Sequence, residues 1–195
     1  MGDNYYDEEK HKYYVKGEEK PSVTEIDNPI SFERLDALQK HMVEKAKDRG
    51  KRCHELFEQY LLLGELDTED IETEYFPYVQ QFVLWAKSYR PKVLFTEKKL
   101  YGEEFCGTAD LICVIDGKLI IVDYKVTSAI DKKGLSVQLE GYYRLCKKLG
   151  LEIDECYFLH IKKDSYVFKR INRDAEWFDM LLFHNKKMRG KYDGK

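Results

Sequence analysis

Residues 107–125, GTADLICVIDGKLIIVDYK, constrain the fold more than any other stretch of the chain. Two apolar runs flank Asp116-Gly117, the kind of pair that most strongly marks a two-residue hairpin turn. With that turn, Ile115 faces Lys118, and counting outward sets Asp110 opposite Asp123. Successive side chains alternate between the faces of a strand, so Lys125 shares a face with Asp123. Register alone therefore converges two carboxylates and an ammonium at one end of an apolar hairpin. A bulge near Gly107 would shift that register by one residue.

Directly opposed like charges destabilise a strand pair. In a low-dielectric setting, one of two close carboxylates takes up a proton. A divalent cation removes the conflict, and Mg²⁺ is typically held by one or two carboxylates. A blander reading explains the hairpin equally well: its charged end reaches solvent, and Lys125 is simply the counter-ion of Asp123.

The flanking sequence predicts helices, then three strands, a helix, two strands and a last helix. Ser31 offers a partial helix cap, and Leu35, Leu38, Met42, Val43 and Ala46 follow helical spacing until Gly50 interrupts. A second helix runs through RCHELFEQYLLL to Gly64, and a third from Tyr78 to Tyr89, ended by Pro91. VLFTEKKL, FCGTADLICVI, KLIIVDYKV, ECYFLHIKK and SYVFKRI read as strands. Helices fall at about Leu135 to Leu149 and Asp174 to Met188. The order predicts an α/β (α+β) fold: a mixed central β-sheet flanked by helices, with an N-terminal helical segment. Residues 1–20 lack apolar periodicity and are predicted to be a loosely attached tail. Residues 21–195 then form a single domain, with a helical part at 30–90, a sheet core at 91–172 and a C-terminal helix at 174–190.

Composition excludes little. A net charge of -3 over 195 residues is not the global basicity of many nucleic-acid binders, yet a phosphate backbone meets the local field of a cleft. No apolar run approaches the ~20 residues of a membrane span, and the acidic N-terminus is no secretion signal. The five cysteines are scattered singly, which predicts reduced, buried thiols in a cytoplasmic protein and no iron–sulfur cluster.

The pattern of Asp110 followed by Asp123-Tyr124-Lys125 at the end of the next strand resembles the signature of the PD-(D/E)XK nuclease superfamily. Thr-Ala replaces the usual Pro before the first Asp, as in the G-x-x-D form of the RecB-like exonuclease branch. Gly50, His54 and Glu58 are similar to that branch's G-x-x-x-H-x-x-x-E helix, and Gln138 and Tyr142 resemble its Q-x-x-x-Y motif. The four elements occur in the family's order across about residues 50–145.

The resemblance implies a restriction-endonuclease-like core and a metal-dependent DNA nuclease, in the first place an exonuclease of phage or mobile-element type. It implies that His54, Asp110, Asp123 and the backbone carbonyl of Tyr124 bind one or two Mg²⁺ or Mn²⁺ ions. Lys125 would be catalytic, and Gln138 would orient Lys125 or the water that attacks phosphorus in line. Tyr142 would touch nucleic acid or pack near the site. Spacing agrees: His54 and Glu58 share one helix face, as do Gln138 and Tyr142. Glu97 matches an acidic position common in such sequences, and like Glu58 it would support the ligands from behind or serve the fold.

Basic residues that flank these motifs, Arg49, Lys51, Arg52, Lys132 and Lys133, are candidates for phosphate contacts, although most such runs are only solvated faces. A further run holds Lys162, Lys163, Lys169, Arg170 and Arg173. The expected partner is DNA, as single strands or duplex ends, in the cytoplasm of a bacterial host cell. A homo-oligomer or a recombination or replication partner fits the same reading, and no membrane is involved. Two alternatives stand beside it: a catalytically inactive nuclease-fold binding module, as a recombination accessory or anti-defence protein, and a structure-specific endonuclease of the same fold.

Overall fold

Asp116 and Gly117 both adopt positive φ, 50° and 78°, the left-handed geometry of a two-residue hairpin loop, and Ile115 pairs with Lys118. The computed structural model in which this turn is seen describes residues 4–27, 37–67, 69 and 71–192. The turn joins β5 (Cys106–Ile115) to β6 (Lys118–Lys125). With β4 (Lys92–Tyr101), β7 (Glu155–Ile161) and β8 (Tyr166–Arg170) they form one sheet in the order β4-β5-β6-β7-β8. Only β6 and β7 run parallel, joined by a crossover through α4 (Lys132–Lys148), as a parallel connection requires.

Both faces of the sheet are covered, which is why β5 and β6 read as nearly continuous apolar runs. On one face, α2 (Ala37–Leu63) and α3 (Phe76–Tyr89) pack Phe57, Phe82 and Trp85 against Leu111, Val122 and Tyr124. On the other, α1 (Val23–Asp27), α4 and α5 (Ala175–Tyr192) bring Val23, Leu139 and Phe178 onto Ala109, Ile112 and Ile121. The result is the mixed sheet between helical layers that the order of elements predicts. No helix among the described residues is long and apolar enough to cross a membrane.

Two expectations are corrected. Residues 4–20 are not a loose tail but a small antiparallel sheet of β1 (Tyr5–Asp7), β2 (Lys12–Val15) and β3 (Glu18–Lys20). Tyr5 stacks on Tyr14 and Tyr6 packs on Tyr13, so tyrosine pairs supply the burial that apolar periodicity lacks. The buried Tyr13 hydroxyl also bonds Thr108 Oγ1 at 2.6 Å, which ties this sheet to β5. Second, Gly50 does not interrupt the chain. α2 is continuous through it, because one helical glycine costs only ~1 kcal/mol and the buried Cys53, Leu56 and Phe57 hold the following turns. The Ser31 cap and the first residues of that helix lie outside the described residues. In β5, the pairing with β4 runs without a shift through Gly107. The irregularity lies in β4, between Val93 and Phe95. Helix starts also differ by a few residues: α3 begins at Phe76, and α4 at Lys132 under an Asp131 cap that accepts from the Lys133 and Gly134 amides.

Candidate metal centre and active site

The β5–β6 ladder ends one step short of the opposed aspartates. Leu111↔Val122 is its last pair, and beyond it Asp110 Oδ2 accepts a 2.6 Å hydrogen bond from the Tyr124 amide. Side-chain alternation in β5 also breaks here. Leu111 and Cys113 enter the α2–α3 core, whereas both Ala109 and Ile112 enter the α4 core. The break frees Asp110 from the regular pleat at the mouth of the sheet.

Two other elements converge on it. Glu97, in β4, lies between the pairs Thr96↔Leu111 and Lys98↔Ala109 and so opposes Asp110. Its φ of 44° is left-handed, a strained setting for a non-glycine residue. From α2, whose Cys53 and Phe57 anchor the helix in the core, His54 brings Nδ1 to 3.3 Å from Glu97 Oε1 and 3.7 Å from Asp110 Oδ1. One ligand atom from each of His54, Glu97 and Asp110 falls within 4.8 Å of the others, the one such group among the described residues.

Beside this group, Lys125 Nζ sits 2.7 Å from Asp123 Oδ2 and donates to Gln138 Oε1 at 3.0 Å. Asp123 is only 3% exposed, and the lysine contact is an ion pair off the line of a hydrogen bond. Gln138 is buried on α4, one element removed in sequence but directly over the end of β6.

The electrostatics follow from burial and crowding. Burial raises the Asp123 carboxyl to about 6, with the Lys125 cation opposing and Asp110 adding to the rise. Burial also raises Asp110, against the pull of His54. For His54, burial acts downward, but the Asp110 and Glu97 carboxylates outweigh it and hold the imidazole up at about 9. Burial likewise works against the Lys125 ammonium, yet Asp123 and Asp110 leave it raised. The cluster thus holds its carboxylates together by keeping protons on His54 and Lys125.

The remaining candidates separate by position. Tyr142 is buried, its ring so close to Gly107 that a Cβ there would meet Cε1 at 2.8 Å. Glu58 is half-buried one turn beyond His54, where its charge reaches the buried Tyr124 ring. Arg49 donates from Nε and Nη2 to Val126 O, at 3.3 and 3.2 Å. Arg52 is paired with Glu72 and Glu55, and Lys133 with Asp174. Lys51 and Lys132 are exposed. Arg173 bonds the buried Glu140 at 2.6 Å and lies over Tyr143, which makes it a strut for α4.

Asp27 escaped the sequence reading. It ends α1 with its carboxylate against the start of α4, 3.0 Å from where a Cβ on Gly134 would sit. Burial and then Asp131 raise it to about 6, opposed by Lys125. No spacing rule links position 27 to 125, and only the packing of α1 on α4 does so.

These donors suit a hard divalent cation. The set is two carboxylate oxygens and an imidazole nitrogen, and the buried Glu97 Oε1 makes no well-aligned hydrogen bond, with the His54 Nδ1 beside it at 3.3 Å. A buried carboxylate oxygen in that state is what a cation would satisfy. Asp123 stands outside the group of three, engaged by Lys125, and Glu97 stands inside it.

No protein-family model and no curated protein matches the sequence. Among solved structures, the chain is similar to a phage-related exonuclease from Haemophilus somnus, at 15% identity over 83% of this chain and 88% of that one, with a TM-score of 0.41. It is also similar to an alkaline exonuclease, LHK-Exo, from Laribacter hongkongensis, at 13% identity over 89% and 94%, with a TM-score of 0.42. Its structural neighbours include exonucleases. LHK-Exo in complex with dAMP aligns at 16% identity over 89% of this chain and 90% of that one, with a TM-score of 0.45.

Proposed function

We propose that the chain is a metal-dependent DNA nuclease, acting as an exonuclease on strand ends. The observation that carries this reading is the convergence of His54, Glu97 and Asp110 beside the Asp123–Lys125–Gln138 chain. The four motifs that resemble RecB-like nucleases support it from the sequence side. Its setting would be recombination or repair in a phage, mobile element or bacterium.

His54, Glu97 and Asp110 would hold Mg²⁺ or Mn²⁺, with Asp123 and the Tyr124 carbonyl alongside. When bound, such an ion polarises the phosphodiester, lowers the pKa of water and stabilises a leaving oxygen. The chain's own residues do the rest. Asp110 is fixed by the Tyr124 amide, so the ligand set is rigid before substrate arrives. Lys125, kept protonated by its two aspartates, is a cation rather than a free base in the metal-free protein. It therefore serves charge that develops on the phosphate and orients the attacking water by donating to it. Gln138 Oε1 accepts one Lys125 proton and so fixes the direction of the other two.

The test is cleavage of end-labelled single-stranded DNA, linear duplex and closed circle in Mg²⁺, Mn²⁺ or EDTA, with Lys125→Ala beside wild type. Metal-dependent loss of linear DNA by wild type alone is the expected result, and an intact circle marks an exonuclease. Cutting of the circle would move the reading to an endonuclease. A folded Lys125→Ala protein that cuts as fast as wild type would remove Lys125 from the chemistry. DNA binding without cleavage in any metal would favour the inactive binding module.

A further inference from the structure

We infer that the cavity at the carboxyl ends of β6 and β7 is a subsite for one nucleotide next to the scissile bond. This inference rests on the nuclease reading above and names a place where its substrate strand is gripped. The cavity, about 290 Å³, is lined by Arg49, Tyr78, Thr127, Ser128, Lys162 and Lys163, together with Val126. Three cations and an aromatic ring line it, and no carboxylate does. In sheets with parallel strands, ligands gather beyond the carboxyl ends of those strands, and β6 and β7 are the parallel pair here.

Its position follows from the chain. Val126, Thr127 and Ser128 directly follow Lys125, so Thr127 lies at most roughly 7 Å of chain from it. Lys162 and Lys163 directly follow Ile161, and His160 in the same strand is the register partner of Lys125. A strand whose phosphate is held at Lys125 has its neighbouring nucleotide within reach of this cavity.

The walls are pre-set rather than loose. His160 Nε2 and Thr127 O are 2.7 Å apart, and Thr127 Oγ1 donates to Ala129 O at 2.7 Å. Arg49 spends Nε and Nη2 on Val126 O, which fixes its guanidinium and leaves the Nη1 donors for a phosphate. The same guanidinium lies 6.0 Å from the Tyr78 ring centroid. Lys162 and Lys163 sit exposed at the β7–β8 turn, closed by the Lys162 amide bonding Ser165 O. Lysines at a turn tip are usually only solvated. Here they face a concavity shared with an arginine and a half-buried tyrosine, the combination that binds single strands by backbone charge and base stacking. The volume is at the small end of ligand pockets, suited to one nucleotide and not to a duplex.

The test measures binding of a short fluorescein-labelled oligo-dT to the full chain carrying Lys125→Ala, in Mg²⁺, by anisotropy across a salt series. Lys162→Gln with Lys163→Gln should weaken binding at least about tenfold and lower the single-strand salt slope by about 1.4. Tyr78→Ala should weaken it about tenfold with the slope unchanged, as loss of one stacked base requires. Lys147→Gln, exposed at the other end of α4, is the control for general charge. Pocket variants that bind within about twofold of that control, with its slope, would overturn the subsite. If wild type cleaves DNA, and the same pocket substitutions leave oligonucleotide binding unchanged in the Lys125→Ala chain and cleavage unchanged in the wild-type chain, the subsite alone falls. If wild type neither binds nor cleaves, the nuclease reading falls and takes the subsite with it. Binding lost in the pocket variants without cleavage in wild type keeps the cavity as a strand-binding site and removes the nuclease, and with it the scissile bond that the subsite adjoins.

Discussion

At the scale of single residues, Glu97 and Asp123 carry the unfavourable energetics of the site. Glu97 holds a left-handed φ, which costs an ordinary residue about 1–2 kcal/mol, and sets a buried oxygen beside Asp110. Strain of this kind persists where the surroundings over-determine it, and here it aims a carboxylate at His54. Glu97→Gln should therefore weaken Mn²⁺ binding by at least about tenfold in calorimetric titration while leaving the circular dichroism unchanged. Affinity equal to wild type would exclude Glu97 from the ion's shell. Asp123 poses the converse case, because its charge is tolerated through Lys125. In Lys125→Ala that carboxylate is left buried and unpaired, so it takes up a proton more readily still. The melting temperature should drop little near pH 5, where Asp123 is already protonated, and markedly more near pH 8. An equal drop at both pH values would mean that Lys125 does not carry the Asp123 charge.

At the scale of elements, α4 positions Gln138 by lying close to the sheet, and Gly107 is what permits it. A Cβ there would press on the Tyr142 ring and on Val23 at 2.8 and 3.1 Å. Gly107→Ala should cost about 1–3 kcal/mol in denaturant unfolding, the usual range for overpacking a core. An unchanged midpoint would show that α4 can ride outward, and Gln138 with it. The hairpin and the succession of five strands were legible, because each depends on local periodicity or on the Asp116-Gly117 turn. Lys125 and Gln138 were linked in the sequence only through the motif resemblance. Sequence periodicity did not reveal where regularity fails. Counting set Asp110 opposite Asp123, but the ladder stops at Leu111↔Val122 and Asp110 takes the Tyr124 amide instead. Glu97 joins the group through a backbone angle that no spacing encodes. Asp27 reaches the start of α4 through the packing of α1 on it, which no local pattern encodes. The sheet of residues 4–20 was hidden because its burial comes from tyrosine pairs, although Lys16-Gly17, both at positive φ between β2 and β3, was a readable turn.

At the scale of the whole molecule, the proton on His54 links the site to global stability. Its folded value of about 9 stands above the ordinary 6.5, so the stability it contributes is fully present below pH 6.5 and lost as pH rises through 9. Asp123, raised to about 6 from 3.8, has the same sense, and its contribution is gone above pH 6. Between pH 6.5 and 9 the metal-free protein should therefore lose stability, by at most about 3 kcal/mol from His54. A divalent ion that binds only the folded state restores stability by mass action. It must also displace the His54 proton, so its grip tightens as pH rises. Melting curves in EDTA should fall across this window, curves in saturating Mg²⁺ should fall less, and the gap between them should widen toward pH 9. His54→Gln should flatten the EDTA curve and narrow the gap. A gap that stays constant with pH, or a wild-type EDTA curve that is already flat, would mean that His54 does not exchange its proton for the metal.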